Sequence, residues 1–129
     1  MMHLVWNLVQ FWTQDISASS SFDEASVGAQ YARIRIDNAG GAWCPRTQID
    51  ETQYEYLEVN LQQLHVLTAV ETQGRFGGGH GKEYPLHYIL EYWRPGRGGQ
   101  WMRYKDQQRN EFSPMKAARM TTSSSVVAL

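Results

Sequence analysis

The stretch YEYLEVNLQQL, residues 54–64, constrains the fold more than any other. Leu57, Val59 and Leu61 fall at alternate positions, with Glu58 and Asn60 between them. A period of two is the mark of a half-buried strand, one face on a core and the other in water. HVLTAVETQ continues in the same style with Val66 and Val70, and LHYILEYW, Leu86–Trp93, is a further strand. AQYARIRI alternates more weakly. RPGRGGQ is a turn, and WMRYKD is the hairpin partner it leads into. No segment shows a 3.6-residue apolar period. Short strands with turns at regular spacing predict an all-β fold, an antiparallel sandwich or barrel.

The loops between these strands are as distinctive. SASSSFDEAS, Ser17–Ser26, is small and polar and reads as a loop. DNAGGAWCP, Asp37–Pro45, is turn chemistry closing on an aromatic anchor. TQGRFGGGHGKEY, Thr72–Tyr84, holds five glycines around Arg75 and Glu83. Glycines on both sides of an arginine permit a loop that turns back on itself and sets the two charges side by side. On local sequence alone two readings stand: an ordered pair that orients a partner, or two solvated charges worth little.

The flanks differ in texture. MMHLVWNLVQFW is apolar but short, and Asn7 and Gln10 interrupt it. It is too short to span a bilayer and lacks the basic first region of a signal peptide. Residues 1–13 read as a buried strand or as a segment foreign to the domain. Residues 14–112 are the organised part. From Ser113, SPMKAARMTTSSSVVAL reads as a flexible low-complexity tail over 113–129.

Several chemistries are excluded. The formal net charge of 129 residues is -1, so no global field draws the chain to nucleic acid or to an anionic membrane, and charge-driven recognition must be local. Gly81-Lys82 has Phe76 where a phosphate loop needs glycine and Glu83 where it needs Ser or Thr. His3, His65, His80 and His87 lack the spacing of a metal pair, and Cys44 is the only cysteine, so no metal site and no internal disulfide are expected. Ser19, Ser20 and Ser21 lack a nucleophile-elbow context. No cofactor and no catalysis are expected.

The order ISASSSF, GAWCP, EYLEVNLQQLHVLTAVETQGR, GGGHGKEY and YWRPGRGGQW resembles a discoidin domain, also called the factor V/VIII type C domain. The branch it is most similar to is the collagen-binding domain of the discoidin domain receptors, over about Asp15 to Glu111. The resemblance implies a β-sandwich or distorted jelly-roll barrel. It also implies triple-helical collagen as ligand, held in a trench with an apolar floor and a polar rim. Arg75 and Glu83 match the family's binding loop, Phe22 stands where the family has an exposed Trp, and Ser26 is the nearest match to its Thr. The family's arginine pairs with an Asp shortly before GAWC; that position here is Gly40, with Asp37 and Asn38 close by, and Asp37 is the candidate replacement. His80 matches a His of some members, and Phe76 adds apolar surface at the rim. Trp43 and Cys44 are implied as structural residues.

Departures from the family carry expectations too. The family's Cys of GAWCP pairs with a Cys near the end of the domain, and this sequence holds no second cysteine. Past Glu111 the family's further strands have no counterpart in the sequence pattern, so a domain lacking its last strands is expected, with exposed edges. The full receptors the resemblance points to are tyrosine kinases, and no kinase sequence is present here. The expected function is a collagen-recognition module, outside the cell by resemblance, with homodimerisation belonging to the full receptor. A discoidin module for membrane lipid or carbohydrate is the alternative, against which the mixed-charge loop speaks. A non-binding fragment is the third.

Overall fold

A computed structural model describes residues 2–3, 13–34, 37–50, 52–64, 71–75, 77–85, 87–96, 98–105, 107–109, 112–114 and 126–128. His65, Val66, Val70, Phe76 and Leu86 lie outside the described residues, as do residues 4–12.

The alternating stretch forms β3, Tyr56–Val59. Leu57 and Val59 are buried and Leu61 packs against them, while Glu58 is half-buried and Asn60 exposed. The strand therefore sits as its period of two requires. It pairs antiparallel with β2, Ile16–Ala18, which brings Ile16 opposite Val59 and Ala18 opposite Leu57. LHYILEYW forms β5, His87–Tyr92, and its hairpin partner is β6, Met102–Arg103.

The stretch after Ser113, expected as a flexible tail, contributes to the sheet among its described residues. β7, Phe112–Pro114, pairs antiparallel with β5. β8, Val126–Ala128, lies parallel to both β3 and β5 and joins them. Val126 and Val127 are β-branched, which fits them to a pleated surface whatever the Ser-rich run before them suggests. The main sheet thus runs β2-β3-β8-β5-β6, with β7 also on β5. Two of its pairings are parallel, where an antiparallel arrangement throughout was the expectation. A second small sheet pairs β1, Met2–His3, with β4, Glu71–Thr72.

Two loops differ from expectation. The serine-rich segment holds a one-turn helix, α1, Glu24–Val27. Asp23 precedes it, Glu24 opens its first turn, and Gly28 follows it; these are start and stop signals that a search for 3.6-residue periods passes over in so short an element. AQYARIRI turns as a 3-10 helix at Ala29–Tyr31 rather than extending, with Ala29 and Ala32 buried.

The core gathers Ile16, Ala29, Ala32, Leu57 and Val59 around Trp43, and Tyr88, Leu90 and Tyr92 of β5 pack on it. Trp43 is 1% exposed. Its Nε1–H donates to the Ser20 carbonyl at 2.8 Å, so the indole is buried without an orphaned donor. Beside it a polar knot ties the serine loop to β3. The buried Glu55 carboxylate accepts from the hydroxyls of Ser19, Ser20 (2.8 Å) and Thr47 (2.8 Å). Ser19 Oγ also accepts the Tyr56 N–H at 2.9 Å, and Ser20 Oγ accepts the Arg46 N–H at 3.0 Å. Ser19 and Ser20, two of the three serines that lacked a catalytic context, are structural donors.

Burial pushes the Glu55 pKa up, but the three hydroxyl donors and Arg46 outweigh it and hold it below its ordinary 4.5. A carboxyl with a lowered folded pKa stabilises the fold above its unfolded pKa, and that stability is lost as pH falls through the folded value. Thermal melts should therefore drop as pH falls below 4.5, and Glu55→Gln should flatten that acid limb; an equally steep limb in the variant would remove Glu55 as its source. Trp43→Ala should cost about 3–5 kcal/mol in denaturant unfolding, and an unchanged midpoint would show that the core does not depend on it.

Candidate functional site

GAWCP is drawn inside by its own residues. Gly41, Ala42, Trp43 and Pro45 are buried and Cys44 is half-buried. The strand-like segment then organises its neighbours through the backbone. The Cys44 carbonyl accepts the Phe22 N–H at 2.9 Å, and the Cys44 N–H donates to the Val27 carbonyl at 3.0 Å. Phe22 and α1 are both fixed to one segment, and Phe22 is left 73% exposed. An apolar ring held by its backbone and this open to water is available as an anchor for a partner.

Gly40 connects α1 to the glycine-rich loop. Its N–H donates to the Ser26 carbonyl at 2.7 Å, and its carbonyl accepts the Arg75 Nε–H at 2.8 Å. A Cβ on Gly40 would meet Val27 Cγ1 at 2.4 Å and the Ser26 carbonyl at 2.7 Å. A side chain, the family's Asp included, does not fit there without displacing α1.

The charged loop folds back as its composition allows. The Arg75 N–H faces the Glu83 carbonyl at 3.4 Å, and Arg75 Nη1 stands 3.4 Å from Glu83 Oε1. Gly81 is where the two arms cross: a Cβ there would lie 2.1 Å from the Arg75 carbonyl oxygen. At the loop tip Gly77, Gly78 and Gly79 all take positive φ, which side chains resist. Glu83 Oε2 accepts the Lys82 N–H at 3.0 Å. Burial raises the Glu83 pKa, and the backbone N–H groups together with Arg75 more than reverse it, so its carboxylate is held below 4.5. The side chains of Arg75 and Glu83 are 29% and 47% exposed, so the pair is open to a ligand and worth little to the fold itself.

The other expected residues fall around this pair. Asp37 Oδ2 accepts the Gly78 N–H at 3.0 Å, and its carboxylate lies against Gly41, where a Cβ would fall 2.1 Å from Asp37 Oδ1. Asp37 therefore pins the glycine tip to the turn before GAWCP. Ser26 sits in α1, where its hydroxyl donates to the Asp23 carboxylate and its carbonyl holds Gly40. His80 is exposed on the loop, its N–H on the Gly77 carbonyl at 3.1 Å. Phe22, Cys44, Val27, Ser26, Gly40, Arg75 and Glu83 thus form one relay along the backbone. The residues that sequence reasoning passed over are Gly40 and Gly78, which act through a carbonyl and an N–H; the only signal for them was their glycine-rich setting.

Replacing Arg75 removes one of the influences that hold Glu83 low. Arg75→Gln should raise the Glu83 side-chain pKa in an NMR titration and leave Glu55 where it is. An unmoved Glu83 titration would show that the two charges do not meet in solution.

The F5/8 type C domain profile matches residues 15–127. Discoidin domain-containing receptor A of Caenorhabditis elegans is 52% identical over 92 residues, 71% of this chain. Discoidin domain-containing receptor tyrosine kinase B of the same organism is 45% identical over 101 residues, 78% of the chain. Epithelial discoidin domain-containing receptor 1 of Homo sapiens is 45% identical over 97 residues, 75% of the chain. The matches span 12%, 12% and 10% of those relatives. The match reaches beyond the expected limit near Glu111 and takes in most of β8. The β-sandwich of this family fits the strand-rich architecture, and the matched region is a binding module without catalysis. The chain belongs to the F5/8 type C family, the discoidin domains, and is closely related to the discoidin modules of receptors.

Proposed function

We propose that this discoidin domain recognises triple-helical collagen on the outer face of the plasma membrane or as part of a secreted protein. The observation that carries the reading is the relay from Phe22 to Glu83. It holds an exposed ring and a half-open ion pair on one hydrogen-bonded frame. Collagen keeps its backbone at the axis and its side chains outside, so a reader must take apolar and charged side chains from a rigid rod. Phe22 supplies the apolar contact. Arg75 supplies a planar fork of donors whose orientation is set before binding by Gly40 and Glu83. Asp37 and Ser26 serve as supports to the binding loops, Asp37 by tethering Gly78 and Ser26 by holding Gly40.

The purified chain should bind immobilised triple-helical collagen and not heat-denatured collagen. Arg75→Ala and Phe22→Ala should each weaken binding about tenfold or more, the effect of losing an interface anchor. Gly81→Ala should do the same with no change of charge, because its Cβ displaces the Arg75 backbone. A chain that melts cooperatively yet ignores the triple helix would overturn the reading. Sedimentation with anionic vesicles separates it from the lipid alternative.

A further inference from the structure

The β5–β6 hairpin ends in a feature that the Phe22–Glu83 frame does not use. Glu91 pairs with Arg103 and Tyr92 with Met102. The same register continues inward, where the Tyr104 N–H donates to the Leu90 carbonyl at 2.8 Å. One step outward it sets Trp93 opposite Trp101. Leu90 and Tyr92 pack on the core, so alternation puts Glu91, Trp93, Trp101 and Arg103 on the other face. The Glu91–Arg103 pair at 3.1 Å agrees with that placement. Trp93 and Trp101 are 46% and 42% exposed, which is a large aromatic area for a hairpin to leave in water.

The charge here is local in the sense the net charge demands. Residues 93–109 hold Arg94, Arg97, Arg103, Lys105 and Arg109 against the single acid Asp106, in a chain whose total is -1. Arg94, Arg103, Lys105 and Arg109 are exposed. Along the chain, the length of β5 separates the hairpin end from the charged loop. That loop closes at Glu83, just before β5, and β5 then runs about 20 Å, at roughly 3.3 Å per residue, before reaching Trp93.

We propose that the end of this hairpin is a second binding surface, for a sulfated polysaccharide. Flat indole faces take the apolar faces of sugar rings, and arginine forks take sulfate oxygens. A bilayer is the poorer partner. The turn itself, Pro95, Gly96, Gly98, Gly99 and Gln100, offers no large apolar side chain to insert, and the tryptophans flank it rather than cap it. Single-stranded nucleic acid uses the same two chemistries; the choice of polysaccharide rests on the proposed extracellular placement.

The test is heparin binding by the full chain across a salt series, with hyaluronan, a sulfopropyl resin, phosphatidylserine vesicles and oligouridine as parallel probes. Heparin should hold the chain to higher salt than the sulfopropyl resin, and unsulfated hyaluronan should not hold it. The double variant Arg94→Glu/Arg109→Glu changes exposed residues only; it should weaken heparin binding about tenfold or more and flatten the salt slope. Trp93→Ala should weaken binding with the slope kept, since it removes stacking and no charge. Arg75→Ala should leave heparin binding unchanged, which separates this surface from the collagen reading. Equal retention on the sulfopropyl resin, unaltered affinity in the charge-reversed variant, or tighter binding to vesicles or oligouridine would each overturn the proposal.

Discussion

The buried indole of Trp43 is the constraint on which the rest of the structure depends. Its rings pack in one core cluster with Ile16 of β2, Leu57 and Val59 of β3, and Ala29 and Ala32. Its N–H must find an acceptor there, and the Ser20 carbonyl is that acceptor. One side chain thereby fixes both the packing of the sheet and the path of the serine loop. Glu55 reinforces the same loop from the side of β3, since its carboxylate gathers the hydroxyls of Ser19, Ser20 and Thr47. Removing any of these leaves a buried polar group to be satisfied, which makes the arrangement cooperative.

The hydrogen-bonded frame around Phe22 and Arg75 is built outward from that anchor. Cys44 follows Trp43 and spends both of its backbone groups on holding Phe22 and α1. Gly40 precedes it and spends both of its own on α1 and Arg75. Phe22 and Arg75 are thus separated in sequence by more than fifty residues yet share one hydrogen-bonded support. A loop with three successive positive-φ glycines pays a large ordering entropy, and the Asp37 tether and the Arg75–Glu83 closure reduce what is left to lose on binding.

Part of this was legible in the residues. The alternation of Leu57, Val59 and Leu61 and the hairpin at RPGRGGQ stand in the structure as they read in the sequence, while the local sequence left Arg75 and Glu83 open between a pair and two solvated charges, and the structure sets them 3.4 Å apart. α1 was missed because a single turn carries no periodic signal. β8 was missed because a three-residue strand after a Ser-rich run has no local mark; only β3 and β5 on either side make it a strand. Asp37 stood only as a candidate replacement for the family's Asp, and its carboxylate receives the Gly78 N–H. Backbone partners of this kind have no side chain to announce them.

The sequence by itself determined the class of fold and marked out the glycine loop that carries Arg75 and Glu83. Periodicity, turn residues and an unusual glycine loop around two charges are local properties, and local properties survive in a string of letters. The tertiary structure decided how those residues are held. Gly40 lies against α1 with no space for a side chain, Trp43 reaches the Ser20 carbonyl, and Glu91 meets Arg103 across a hairpin whose Tyr92 and Leu90 pack on the core. Each depends on segments brought together by burial of the core. The free energy that places them is shared among residues distant in the chain, so no single stretch encodes it.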